Sequence, residues 1–91
     1  MAKARYLPMS PEEQEVAVHV GNSLKQMRQD RELSQPMLSG RTGISQTTIT
    51  QIETGKRPPS LRSIIKLANE LGYDVSITFT ENDKFIKKGD A

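Results

Sequence analysis

The chain contains no cysteine and no tryptophan, and its single histidine, His19, has no second histidine to partner it. Without cysteine there is no disulfide framework and no thiolate to act as ligand or nucleophile. A lone histidine beside an apolar stripe is an ordinary boundary residue, so no metal and no cofactor is assigned. A glycine-rich phosphate loop is missing too, and Glu12, Glu13 and Glu15 gather at a helix start, where the helix dipole stabilises negative charge. No constellation of nucleophile, base or metal ligands remains, and the expectation is that the chain is not an enzyme. No apolar run is long enough for a signal peptide or a membrane span, which makes the cytoplasm the expected location and a membrane an unexpected partner.

What is present points to one small, mainly helical domain. A length of 91 residues supports a single core, and the apolar residues fall on helical periodicities. The net charge of +2 says little about partners by itself, but its distribution does. Residues 34–60 carry Arg41, Lys56 and Arg57 against Glu53 alone, whereas the first helix and its end carry Glu12, Glu13, Glu15, Asp30 and Glu32. Such asymmetry suits a protein with one face turned to phosphate.

Residues 1–9 lack periodicity and read as a flexible tail. Ser10-Pro11-Glu12-Glu13 then supplies a cap, a proline at the first helical position and a capping-box glutamate. The helix that follows carries Val16, Val20, Leu24 and Met27 as its expected inward stripe. Ser34 caps a second helix, with Leu33 placed to staple onto Leu38 and Pro36 harmless in the first turn. Gly43 ends it, because glycine tolerates the left-handed conformation of a helix C-terminus. Ser45 caps a third helix, with Ile44 placed to staple onto Ile49. Ile49 and Ile52 face inward there, leaving Gln46, Thr47, Thr50 and Gln51 outside. Glutamine can pair with the N6/N7 edge of adenine, and threonine can offer a hydroxyl to several base edges or a methyl to thymine. A Gln- and Thr-rich face can equally be merely solvated; its place directly after a capped glycine turn is what makes it a reader of the major groove. The pattern is that of a helix-turn-helix. After a Pro58-Pro59 loop, Ser60 caps a fourth segment bearing Leu61, Ile64, Ile65, Ala68 and Leu71, and Gly72 ends it.

These residues resemble the phage-repressor and Cro type of DNA-binding domain, the XRE family, over residues 24–72. The resemblance rests on Leu24 to Arg28 near the end of the first helix, Ser34-Gln35, Gly43-Ile44-Ser45, Ile49 to Lys56, Pro59-Ser60-Leu61 and Leu71-Gly72. It implies a four- to five-helix repressor-like domain over residues 10–72 that binds double-stranded DNA. It implies that Gln46, Thr47, Thr50 and Gln51 read bases, and that Gln35, Ser45, Thr54, Lys56 and Arg57 touch phosphates. It further implies a partly buried, structural ion pair between Arg28 and Glu53. Two residues depart from the family pattern: Ser39 stands where alanine is usual, and Gly40 follows it inside the second helix, where glycine costs about 0.5–1 kcal/mol relative to alanine.

Residues 73–80 are different in kind, alternating apolar and polar positions with β-branched enrichment, which predicts a strand. No other segment qualifies as its partner, so the expected partner is the same strand of a second copy, with Val75, Ile77 and Phe79 on the buried face of an intermolecular sheet. The alternative is an extended tail lying on its own domain. A homodimer so built would present two recognition helices to a pseudo-palindromic operator. A helix-turn-helix followed by one terminal strand is similar to HipB-like antitoxins, which implies a repressor of its own operon with a HipA-like kinase toxin as partner. The alternatives are a free-standing phage-like or metabolic repressor without a toxin, and a module that binds protein only. Residues 81–91 lack periodicity and read as a flexible tail, open to a role as protease handle or partner segment. Bound to DNA, such a protein would be associated with the nucleoid.

Overall fold

A computed structural model of the chain describes residues 8–86 and 89. Among the described residues four helices follow one another: α1 (Pro11–Asp30), α2 (Gln35–Thr42), α3 (Gln46–Glu53) and α4 (Leu61–Glu70). Every one starts on a serine whose hydroxyl accepts a backbone N–H three residues on. Ser10 accepts from Glu13 at 3.1 Å while Glu13 Oε1 accepts from the Ser10 N–H at 2.8 Å, completing a capping box. Ser34, Ser45 and Ser60 accept from Met37, Thr48 and Ser63 at 3.2, 3.1 and 3.0 Å. Each such cap is worth about 1 kcal/mol.

The helix ends are as regular as the starts. Gly43 closes α2 with φ 78°, its N–H donating to the Ser39 carbonyl at 2.8 Å. The end of α1 has the same handedness without glycine: Glu32 sits at φ 58°, between a Glu32 N–H to Gln29 O bond of 2.9 Å and a Leu33 N–H to Arg28 O bond of 3.2 Å. That is a Schellman motif built on a residue that disfavours it.

The core gathers Leu24, Leu33, Leu38, Ile49, Ile52, Leu67, Ala68 and Leu71 from all four helices and the α1–α2 turn. Ile49 and Ile52 are sealed inside, as the inward face of α3 requires. The inward stripe of α1 differs from its expected course. Leu24 is buried and Val20 and Met27 are half-buried, but Val16 is exposed, and the buried line runs Ala17, Gly21, Leu24, Arg28. The reason is how closely α1 crosses the end of α3. A Cβ placed on Gly21 would collide with the Ile52 carbonyl oxygen and stand 3.0 Å from that of Glu53, so the crossing selects for smallness instead of apolar bulk. The expected stripe of α4 also shifts. Ala68 and Leu71 are buried and Ile64 is half-buried, but Leu61 and Ile65 are exposed and Leu67 fills the core, because positions 64, 67, 68 and 71 share one helical face. Among the described residues no helix is long and apolar enough to cross a membrane.

The strand predicted over residues 73–80 is not formed in the single chain, and no strand occurs among the described residues. A lone segment has no ladder partner. The alternation survives only at its start: Tyr73 and Val75 are half-buried against the core, whereas Ile77 and Phe79 are exposed. Arg31 pins the start of this segment, its guanidinium lying 4.8 Å from the Tyr73 ring centroid and its Nε donating to the Leu71 carbonyl at 2.8 Å. Of the tail expected over residues 1–9, all but residues 8 and 9 lie outside the described residues; of that expected over residues 81–91, residues 87, 88, 90 and 91 do.

Candidate nucleic-acid interface

The turn between α2 and α3 is fixed by short-range chemistry. Thr42 Oγ1 donates to the Leu38 carbonyl at 2.8 Å and accepts the Ile44 N–H at 3.2 Å, so the chain leaves α2 in one direction only. Ile44 then packs half-buried on the core. Gly40, the residue out of pattern in α2, is exposed, and a Cβ there would meet nothing within 4 Å.

Beyond the turn, α3 is held by a chain of polar contacts that starts in the interior. Arg28 grips Glu53 with two bonds, Nε to Oε2 at 2.7 Å and Nη2 to Oε1 at 2.9 Å, and gives Nη1 to the Leu33 carbonyl at 2.8 Å. Both side chains are nearly shut off from water, at 9% and 3% exposure. The hydrogen bond to Glu53 raises the Arg28 pKa above its already high ordinary value, burial opposes it, and the Coulomb attraction of Glu53 adds to it. Arg28 therefore stays protonated. Gln35 Nε2 donates to the same Glu53 Oε1 at 2.9 Å, and Thr50 Oγ1 donates to Gln35 Oε1 at 2.8 Å. No buried side-chain nitrogen or oxygen among the described residues lacks a partner.

Gln46, Thr47 and Thr50 lie on the exposed side of α3 and Gln51 is half-buried at its edge. The Arg57 Nη1 donates to Gln51 Oε1 at 2.9 Å, which turns the amide nitrogen of Gln51 away from Arg57. Ser45, at the exposed start of α3, also donates its hydroxyl to Thr48 Oγ1 at 3.0 Å. Thr54 is exposed and donates its hydroxyl to the Thr50 carbonyl at 2.8 Å. Lys56 is exposed in the turn after α3, its backbone N–H bound to the Gln51 carbonyl at 2.9 Å. Gln35 is the one candidate whose side chain turns inward, toward Glu53 and Thr50. The Glu53 charge is matched by Arg28, and Lys56 and Arg57 follow α3 in the turn, whereas Arg41 lies 3.8 Å from Glu70 of α4, half in solvent. Val75, Ile77 and Phe79 belong to the segment after α4, outside α3 and the turns that flank it.

Sequence reasoning missed the residues that seat the turn after α3. Gln14 Nε2 donates to the Gly55 carbonyl at 3.0 Å, and Val18 stands where a Cβ on Gly55 would have to be, 2.7 Å from its Cγ2. The available signal was the pair of small residues Ala17 and Gly21, four apart in a helix of larger ones.

A helix-turn-helix family model matches residues 24–77, more than half of the chain. The chain belongs to the XRE-type helix-turn-helix family. That family is one of DNA-binding transcription regulators. Two of the similar proteins carry names of this kind, and a third is named a control protein. An uncharacterized HTH-type transcriptional regulator of Methanocaldococcus jannaschii is 37% identical over 62 residues, 68% of this chain and 94% of that one. The control protein C.MunI of a Mycoplasma species is 31% identical over 71 residues, 77% of this chain and 96% of that one. The uncharacterized HTH-type transcriptional regulator y4dL of Sinorhizobium fredii is 35% identical over 57 residues, covering 63% of this chain and only 29% of its own length. The XRE-type match begins at Leu24, so residues 11–23 of α1, with Gln14, Ala17, Val18 and Gly21, lie outside it.

Proposed function

We propose that the chain is a sequence-specific transcriptional repressor that acts as a dimer on a pseudo-palindromic operator overlapping its own promoter. The observation that carries this reading is the exposed amide and hydroxyl face of α3, set directly after the Gly43 turn and braced from within by Arg28, Glu53 and Gln35. In this reading α3 lies in the major groove, with Gln46, Thr47, Thr50 and Gln51 at base edges. Ser45, Thr54, Lys56 and Arg57 meet the flanking phosphates, which set register but carry no sequence information. Gln35 contributes there through its backbone N–H, one of the first-turn donors of α2 that has no intrahelical partner, since its side-chain amide is engaged with Glu53 and Thr50. Two copies pair through residues 73–80, where the exposed Ile77 and Phe79 and an unladdered backbone are available to a second chain.

A role as the antitoxin of a HipA-like kinase is the second reading. It is favoured by the exposed apolar side chains beyond the pairing segment, Phe85 and Ile86, which the DNA-binding dimer leaves without a use.

Fluorescence anisotropy against duplex from the upstream region and against a shuffled duplex, at several salt concentrations, tests the main reading. Tight, salt-graded and sequence-dependent binding supports it; equal, weak binding to both duplexes refutes it. Lys56→Ala is expected to weaken binding to every sequence and to lower the salt slope by about one.

A further inference from the structure

We infer that the buried Arg28–Glu53 pair fixes Thr50 as a hydrogen-bond acceptor, so that Thr50 selects a base bearing an amino group, adenine or cytosine, on the strand it faces. The inference rests on the reading of α3 as a major-groove helix and adds to it the chemical class of base at one position.

Arginine can only donate, and an ionised carboxylate can only accept. Arg28, kept charged by Glu53, therefore holds Glu53 as a pure acceptor through bonds of 2.7 and 2.9 Å. Glu53 Oε1 lies 2.9 Å from the amide end of Gln35, and that end must be the NH2 group, because a carbonyl there would face a carboxylate oxygen with no proton between them. Once the NH2 points inward, Gln35 presents its carbonyl oxygen to Thr50 at 2.8 Å, and a carbonyl can only accept. The hydroxyl proton of Thr50 is thereby directed at Gln35. What Thr50 Oγ1 has left for the exposed side is lone pairs.

In the major groove the exocyclic amines, N6 of adenine and N4 of cytosine, are donors, whereas O6 of guanine and O4 of thymine are acceptors. An acceptor-only Thr50 therefore separates amino bases from keto bases, not purines from pyrimidines. A threonine without Gln35 could turn its hydroxyl either way and would not discriminate. Gln35 is thus a positioning residue for specificity, acting through Thr50 without touching the base.

Selection from a randomised duplex library, with the full chain and three variants, tests this. The native protein is expected to enrich adenine or cytosine at one position of each half-site. Thr50→Val keeps the shape, removes the acceptor and flattens that position roughly five- to tenfold while the rest of the site is retained. Thr50→Ser keeps the preference. Gln35→Met frees the hydroxyl and admits guanine or thymine at the same position only; the intact preference elsewhere in the site shows that the variant is folded. Should Gln35→Met fail to fold, Thr50→Val and Thr50→Ser still decide. A native preference for guanine or thymine at the position that Thr50→Val flattens overturns the inference, as does a site with no position sensitive to Thr50→Val, or a Gln35→Met variant with unchanged preference. In each of those cases the DNA reading itself survives. A native protein that enriches no sequence removes both.

Discussion

Replacing Gly21 by alanine separates two opposite expectations for the same change. Gly21 lies in the middle of a twenty-residue helix, where alanine is favoured over glycine by about 1 kcal/mol on backbone grounds. Propensity alone therefore forecasts stabilisation. The packing forecasts the reverse, because the added Cβ would stand 3.0 Å from the Glu53 carbonyl oxygen and closer still to that of Ile52, where ordinary contacts begin near 3.4 Å. Both obstacles are backbone, so no side chain can swing away, and α1 must move off α3 by something on the order of an ångström. Overpacking of this kind costs up to about 3 kcal/mol, which leaves about 2 kcal/mol net after the propensity gain. For a domain of this size that is a fall in Tm of roughly 8–16 °C. Thermal unfolding followed by far-UV circular dichroism measures it directly. An unchanged or raised Tm would show that the crossing tolerates a methyl group and would refute the account of why the α1 stripe runs through Ala17 and Gly21.

Glu32→Gly should stabilise the fold by about 0.5–1 kcal/mol, read as a higher denaturant midpoint with an unchanged slope, since the left-handed penalty removed exceeds the added freedom of the unfolded chain; a lower midpoint would contradict the Schellman assignment. Arg28→Met should cost about 3–5 kcal/mol by leaving Glu53 buried without a counter-charge, measured in the same titration. Because the folded pKa of Arg28 is raised, its contribution is complete below the unfolded value and is lost only as pH climbs through the still higher folded value. The difference between native and Arg28→Met midpoints should accordingly show no loss attributable to Arg28 from neutral to moderately alkaline solution. Ile77→Pro removes a backbone donor from residues 73–80 and should turn a dimer into a monomer by light scattering; a persistent dimer would count against pairing through that segment.

The parts of the fold legible in the sequence were those written in local chemistry. Serine hydroxyls at positions 10, 34, 45 and 60 and the glycine at 43 act on neighbours within three or four residues, and the helices begin and α2 ends where they say. The inward faces of α1 and α4 were less legible, because hydrophobicity marks what can be buried and not how near another backbone comes. Val16 and Ile65 are apolar and exposed; Gly21 is neither large nor apolar and is buried. Alternation over residues 73–80 describes a segment able to pair, and pairing requires a second strand that one chain does not contain. At the candidate interface the outward face of α3 followed from the spacing of Ile49 and Ile52. The inward turn of Gln35 did not, since an amide bonds with either end and its partners, Glu53 and Thr50, are brought to it only by the folded arrangement.

The contact of Gln14 and Val18 with Gly55 sets where this protein can be divided. A fragment cut at Leu24, where the family resemblance starts, would keep all of α2, α3 and α4 and lose the two side chains that seat the corner after α3. Homology thus draws its boundary inside a mechanical unit. A piece that keeps these contacts together with the cap of α1 begins at Ser10, and a chimera that exchanges only the region of resemblance would carry α3 across with Arg28, Gln35 and Glu53 but without the Gln14 and Val18 contacts at Gly55.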